Sequence, residues 1–147
     1  MARAYRLSPA RRALNALVRT GLRVGVGPRR TWLLTVVGRR TGKRYTTPVT
    51  LVERDGQRYL VAPYGEVAWV RNARAAGEVE LARGRRRETL GLEPLPAGES
   101  GAVLRAYAQE VAVTRPFFDA RPTDPPEAFA AEADRHPAFR LVPVAGG

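Results

Sequence analysis

The chain has 147 residues, of which 44% are hydrophobic, and this is enough for one domain with a sizeable buried core. It has no cysteine and a single histidine, which excludes disulfides, iron–sulfur clusters and cysteine nucleophiles and argues against a transition-metal site. The formal charge of +11 at pH 7 indicates an anionic partner, such as a polyanionic cofactor, a nucleic acid or an acidic membrane surface.

The first predicted element is a basic amphipathic helix, which together with the start of a glycine–proline break occupies residues 1–27. Ser8 is a favoured N-cap residue and Pro9 suits the first helical position. Five apolar residues share one face of this helix, namely Ala10, Leu14, Leu17, Val18 and Leu22. The helix either covers a sheet with its arginines in water or contacts an acidic membrane surface. No apolar run approaches the roughly 20 residues that span a bilayer, and no signal peptide is visible, so a cytoplasmic protein is expected, with membrane association as the alternative.

A buried strand and a basic turn come next. Thr31–Val37 is continuously apolar or β-branched, which is typical of a strand buried on both faces. Residues 38–44, with the sequence GRRTGKR, then place four cations in a glycine turn. Backbone N–H groups and cationic side chains in such a turn hold phosphate or carboxylates, although a solvated surface turn is the alternative. A nucleotide-hydrolase phosphate loop is excluded, because only three residues separate Gly38 from Gly42 and a strand follows.

The rest of the chain alternates hairpins with short helices. Thr46–Arg54 and Gln57–Ala62 predict a hairpin around Asp55-Gly56, followed by a helix at Val67–Ala75. The later elements are a hairpin (Glu78–Ala82 and Arg86–Leu92), helices at Ser100–Val113 and Pro126–Arg135, and a strand at Ala138–Val142. With no repeat and no internal boundary, this order predicts one α+β domain over residues 1–147, with a mostly antiparallel sheet or small barrel.

The residues of hydrolytic and metal chemistry are scarce. His136 is the only histidine, and the two serines, Ser8 and Ser100, are explained as helix caps, so a Ser–His–Asp arrangement is not expected. No Asp/Glu cluster of the kind that magnesium needs is evident, and no metal site is predicted. An enzyme with this composition would rely on an organic cofactor.

Nucleic-acid binding is the rival interpretation of the positive charge. A second basic patch comprises Arg83, Arg85, Arg86 and Arg87, and several strand aromatics could stack bases. No helix-turn-helix, zinc-finger or RNA-binding motif accompanies them, so no specific nucleic-acid partner is expected.

Between Trp32 and Asn72 the sequence resembles the deazaflavin-dependent nitroreductases, which bind coenzyme F-420. The resemblance lies in four blocks, WLLTVVG, GRRTGKRYTTPV, DGQRYLVAPYG and WVRNARAAGEVEL, and covers roughly half the chain. It implies a split β-barrel with flanking helices, mostly antiparallel and similar to the FMN-binding pyridoxamine-phosphate oxidases, with F-420 in place of FMN.

Carried over by position, the resemblance implies a cofactor site at the basic turn and on the neighbouring strands. The phosphate and the oligoglutamate tail of F-420 would face Arg39, Arg40, Thr41 and Lys43. The deazaflavin ring would lie along Thr46, Thr47, Pro48 and Val49, with contacts from Ala62, Tyr64 and Gly65 and a frame formed by Trp69 and Asn72. Tyr64 is the candidate catalytic residue, as a donor of a hydrogen bond or a proton, a role that water fills equally well.

The expected function is an F-420-dependent oxidoreductase that transfers hydride to an electron-poor small molecule such as a quinone, an enone or a nitroaromatic. An FMN-dependent oxidoreductase of the same fold and a non-catalytic cofactor- or anion-binding protein are the alternatives. Phe117 and Phe118, ahead of Tyr107, are expected to form an apolar lid for the acceptor, against the alternative that all three rings belong to the core.

Overall fold

Six antiparallel strands close into a barrel in the computed structural model, which describes residues 9–23 and 30–144. The strands are β1 (Thr31–Val37), β2 (Arg44–Arg54), β3 (Gln57–Val61), β4 (Glu78–Arg83), β5 (Arg86–Pro94) and β6 (Ala138–Pro143). Their order around the barrel is β1-β2-β3-β6-β5-β4. The predicted antiparallel barrel is confirmed, and β1 is buried along most of its length, as its apolar run indicates.

Four α-helices flank the barrel within the described residues. They are α1 (Pro9–Arg23), α2 (Ala68–Ala76), α3 (Ala97–Glu110) and α4 (Pro126–Ala130). Two short 3-10 helices, Ala112–Phe117 and Ala133–Arg135, follow α3 and α4. The predicted helix over Pro126–Arg135 is therefore broken, because Glu132 turns its carboxylate toward the backbone of Asp119 and Ala120. None of the described helices is long and apolar enough to cross a membrane.

Helix α1 lies against β1, β2 and β4. On its predicted apolar face Val18 is half-buried, whereas Leu17 is 70% exposed. The predicted cap at Ser8 and all but the last residue of the predicted break over Gly25–Arg30 lie outside the described residues, as do the side chains of Ala10, Leu14 and Leu22.

The core consists of one cluster inside the barrel, a second under the helices and a small third one of Ala62, Val70 and Phe139. The first is built on fully buried leucines of four strands, Leu34, Leu51, Leu60 and Leu81. The second packs Val52 and Val61 against α3, Phe118 and Phe129. Each fully buried side chain of this size stabilises the fold by about 1.5–3 kcal/mol relative to an exposed position.

Strand β2 has a different pairing partner in each half of its length. Its first half, residues 44–50, pairs with β1 along one edge, whereas β3 pairs only with residues 51–54. Along the first half, the other edge of β2 has no strand partner in the described part of the chain. Helix α2, the loop after β3 and the end of α3 lie beside this edge, and a cleft results.

Candidate functional site

Two adjoining cavities form one cleft along the first half of β2. One, of about 420 Å³, lies against the basic turn and is called the basic end. The other, of about 640 Å³, lies against the loop after β3 and the end of α3 and is called the apolar end. Both cavities are lined by Thr47, Ala68 and Trp69, which mark the junction. Each volume lies within the roughly 300–1,000 Å³ typical of small-molecule sites.

A larger cavity of about 830 Å³ around the Asp55-Gly56 turn is also rich in arginine, but four of its five arginines, all except Arg54, contact other groups of the protein. Arg58 forms a two-pronged ion pair with Glu88 at 2.8 and 2.9 Å. Arg30 donates to Glu110 at 2.9 Å, and the Arg86 guanidinium lies 4.8 Å from the centre of the Trp32 ring. We therefore assign the candidate site to the cleft along β2.

The turn at the basic end is closed by its own backbone. Gly38 N–H donates to the Lys43 carbonyl at 2.6 Å, and the Lys43 N–H donates to the Thr41 hydroxyl at 3.2 Å. A Cβ at position 38 would lie 2.8 Å from the Tyr45 ring, so the turn closes this tightly only with glycine.

Asn72 of α2 anchors the turn to the helix. Its Oδ1 accepts hydrogen bonds from both the backbone N–H and the guanidinium of Arg39, at 3.0 and 2.8 Å. Asn72 is 6% exposed, and the bond from the guanidinium is charge-assisted, which makes it the stronger of the two. The Arg39 side chain is held at the cleft wall before any ligand binds.

The four cations of the turn are not equivalent. Arg39 and Arg40 line the basic end of the cleft. Arg44 instead forms an ion pair with Glu80 at 2.6 Å, and this hydrogen bond is the main cause that lowers the pKa of the Glu80 carboxyl. Lys43 lies on the turn but does not line the cleft. Within residues 9–23 and 30–144, no hydrogen bond or ion pair holds the side chain of Arg40 or Lys43.

The apolar end presents two phenols. Tyr64, in the loop after β3, and Tyr107, on α3, both line it. Burial raises the pKa of the Tyr107 phenol far above its usual value, and the nearby Tyr64 adds to this rise while a hydrogen bond with Thr114 opposes it. Tyr107 therefore stays protonated at any physiological pH.

Most residues that the resemblance assigns to the cofactor line this cleft. They are Arg39, Arg40, Thr41, Thr46, Thr47, Pro48, Val49, Tyr64, Trp69 and Asn72. Ala62 is instead buried in the core, and Gly65 backs onto the Arg135 carbonyl oxygen. Lys43, Ala62 and Gly65 are thus beside the cleft rather than in its wall.

Phe117 and Phe118 do not form the expected lid over the acceptor. Phe117 and Phe118 are 8% and 6% exposed, and neither lines the cleft. The Phe118 ring packs 4.2 Å from the His136 ring and 5.8 Å from Phe129, while the Phe117 ring meets Tyr64 edge-on at 4.7 Å from behind. Tyr107, ranked behind both, is the one that reaches the cleft.

A short segment that the sequence analysis missed completes the wall. Residues 111–114, at the end of α3 and the start of the first 3-10 helix, line the apolar end. Val113 is 62% exposed there. The sequence feature that could have indicated this segment is the apolar run VAV directly before the proline-rich loop. The described residues contain no group of three or more His, Asp or Glu side chains placed to hold a metal ion.

Comparison with known proteins gives one family and a set of similar structures. The model of the F-420H(2)-dependent quinone reductase family matches residues 8–121. No curated protein sequence matches the chain. A structure described as a domain-swapped dimer has 19% identity and a TM-score of 0.55, over 90% of this chain and 96% of that one.

Two further structures agree in fold. An F-420-H(2) dependent reductase (FDR-A) has 19% identity and a TM-score of 0.54, over 77% of this chain and 94% of that one. A proposed pyridoxamine 5'-phosphate oxidase from Listeria innocua has 13% identity and a TM-score of 0.51, over 78% and 83% of the two chains. At these identities the likeness shows the fold, and the split β-barrel with flanking helices is confirmed.

Proposed function

The chain belongs to the F-420H(2)-dependent quinone reductase family, and on this premise we propose that the cleft along β2 binds reduced coenzyme F-420 together with a quinone. As a member, the protein is an F-420-dependent reductase. The observation that carries the proposal is where the cationic and the phenolic groups lie along one continuous cleft. Two arginines line one end, and two phenols among mostly apolar side chains line the other.

The residues of the cleft fit the cofactor. F-420 carries a phosphate and a chain of glutamates on one side and a flat deazaflavin ring on the other. Arg39 and Arg40 at the basic end would hold the anionic groups through charge-assisted hydrogen bonds. The ring would be held at the junction, where Thr47 and Trp69 belong to both cavities. The remaining apolar end leaves room for a planar acceptor.

The protein supplies binding, orientation and electrostatics. When bound, the reduced cofactor supplies a hydride from its C5 position. The carbonyl oxygen of a quinone gains negative charge as the molecule is reduced, and a hydrogen-bond donor aimed at that oxygen lowers the barrier. Tyr64 is the residue that we assign to this donor role, with the protonated Tyr107 beside it in the same wall. Valines around them, including Val49 and Val113, would cover part of the acceptor.

Two alternatives remain distinct from this proposal. An FMN enzyme of the same fold needs to bind one phosphate rather than a tail of carboxylates, and the two arginines with the net charge of +11 favour the longer polyanion. A cofactor-binding protein without turnover would use the same basic end. Enones and nitroaromatics, which are also planar and electron-poor, share the chemistry of the proposed quinone acceptor.

The proposal predicts a preference between cofactors. We expect F-420 to bind with micromolar or tighter affinity, and FMN to bind at least about tenfold more weakly, because each additional charge-assisted contact adds binding free energy. Titration of the purified protein, followed by the fluorescence of each cofactor, measures both affinities. Equal affinities or a preference for FMN would contradict it. Binding of reduced F-420 without oxidation by a soluble naphthoquinone would indicate the non-catalytic alternative.

The two unpaired cations of the turn give a second prediction. Arg40→Ala should weaken F-420 binding about tenfold or more, since Arg40 lines the cleft and a guanidinium binds phosphate and carboxylate through paired donors. Lys43→Ala removes the same charge outside the cleft wall and should change the affinity less than about threefold, because an exposed charge is screened by salt. The measurement is the same titration at low and high salt. Wild-type affinity in both variants would make the turn a solvated surface feature.

A further inference from the structure

The loop that carries Tyr64 is clamped from behind by the segment before β6. Residues 62–65, here called the Tyr64 loop, include Pro63 and Tyr64, which both line the apolar end of the cleft. The Ala62 N–H donates to the Pro137 carbonyl oxygen at 2.8 Å, and a Cβ on Gly65 would lie 3.3 Å from the Arg135 carbonyl oxygen. Gly65 also has a positive φ of 89°, a conformation that only glycine adopts without strain.

A buried histidine completes this clamp. The Nδ1 atom of His136 lies 2.8 Å from the Pro63 carbonyl oxygen, and Nε2 lies 2.7 Å from Oε1 of Glu132. Both side chains are nearly inaccessible, at 3% and 4% exposed. A carbonyl oxygen only accepts hydrogen bonds, so Nδ1 carries a proton and donates it to Pro63. The second ring nitrogen shares a proton with the Glu132 carboxylate.

Glu132 fixes the ring of His136 and joins it to the loop after α3. Its two carboxylate oxygens accept hydrogen bonds from the backbone N–H groups of Asp119 and Ala120, at 3.0 and 2.8 Å. The Phe118 ring covers His136 at 4.2 Å. The imidazole therefore has one orientation set by the carboxylate and one face closed by an aromatic ring. That orientation points Nδ1 at the Tyr64 loop.

We propose that His136, oriented by Glu132, is a positioning residue that fixes the Tyr64 loop and thereby places the acceptor against Tyr64. Its effect on kinetics rests on the proposed function, whereas its effect on the loop does not. Both residues lie beyond residue 121, where the match to the family model ends. A side chain that contacts the substrate is kept within reach of the reacting atoms by supporting residues behind it.

Two substitutions separate the two hydrogen bonds of the ring. Asparagine carries its amide nitrogen on Cγ, the atom that bears Nδ1 in histidine, so His136→Asn keeps a donor for Pro63 and loses the contact with Glu132. Glutamine carries its amide nitrogen one atom further out, so His136→Gln keeps the contact with Glu132 and loses the donor for Pro63. Val52→Ala creates a cavity in the core cluster that contains Phe118 and lines neither end of the cleft, so it is the control for general destabilisation.

Hydrogen exchange of the apo protein and steady-state kinetics provide the readouts. His136→Gln should speed exchange in residues 62–67 about tenfold or more and raise the KM for a naphthoquinone by a similar factor, because a lost buried hydrogen bond shifts the local opening equilibrium to this extent. His136→Asn should restore both values to within about threefold of wild type despite a lower Tm. Unchanged exchange in His136→Gln, or an equal increase in Val52→Ala, would overturn the proposal.

The wild-type protein provides a test that needs no variant. His136 is the only histidine in the chain, so the imidazole ¹⁵N spectrum contains the signals of one ring. The proposal requires a proton on Nδ1 that exchanges slowly with solvent. A neutral ring with its only proton on Nε2 would contradict it even if every His136 variant failed to fold. If the wild type lacked F-420-dependent turnover, the proposed function would fail, while exchange and the spectrum would still decide the role of His136.

Discussion

Phe118→Ala is expected to lower the free energy of unfolding by about 3–5 kcal/mol and to leave the affinity for F-420 within about threefold of wild type. The ring is 6% exposed and packs against Tyr107, Phe129 and His136, so its removal leaves a cavity in the second core cluster. It lines neither end of the cleft. Urea denaturation measures the first quantity, and a cofactor titration below the unfolding transition measures the second.

Phe118→Leu is the matched control, since leucine refills much of the cavity and should recover more than half of the lost stability. The lid that the sequence suggested makes the opposite prediction for Phe118→Ala, a raised KM for the acceptor with an unchanged melting temperature. That result would return Phe118 to the acceptor site and contradict its place in the core.

The buried position of Phe118 could not be predicted from sequence patterns, because it depends on contacts between distant parts of the chain. The strand runs, the glycine turn and the hairpin at Asp55-Gly56 follow from local rules, so the barrel could be predicted. The loop after α3 has no periodic pattern of apolar residues that would predict its direction. Its direction depends on Glu132, which breaks the predicted last helix to accept hydrogen bonds from Asp119 and Ala120 and draws Phe118 inward. Local propensity does not reveal these contacts, because Glu132 lies 13 positions after Asp119 and 12 positions after Ala120.

The same limit applies to the basic turn. The sequence places four cations within residues 38–44, and their composition indicates an anion-binding surface as one of two interpretations. Which of them face the cleft depends on partners far along the chain, because Asn72 draws in Arg39 and Glu80 draws Arg44 away. The resemblance supplied Asn72 as a frame of the site, but its bond to Arg39 becomes visible only where α2 meets the turn.

Asn72 gives the last prediction, because its single oxygen holds both the backbone and the guanidinium of Arg39. Asn72→Ala should weaken F-420 binding about tenfold, since the freed Arg39 side chain has to be ordered again when the ligand binds. Asn72→Asp keeps the acceptor and nearly the same shape, so its melting temperature should stay close to that of wild type. Its carboxylate would neutralise Arg39 and repel the anionic tail, and F-420 affinity should fall about 100-fold.

Lys43→Ala is the control that separates a local effect from the overall field, because it also lowers the net charge by one unit but lies outside the cleft wall. If Asn72→Asp and Lys43→Ala weaken F-420 binding equally, the turn attracts the cofactor only through the net charge of the protein. If Asn72→Asp binds F-420 as wild type does, the anionic groups do not lie near Arg39, and the basic end is not the seat of the tail. A large loss confined to Asn72→Asp, reduced at high salt, is the result that places the tail against Arg39.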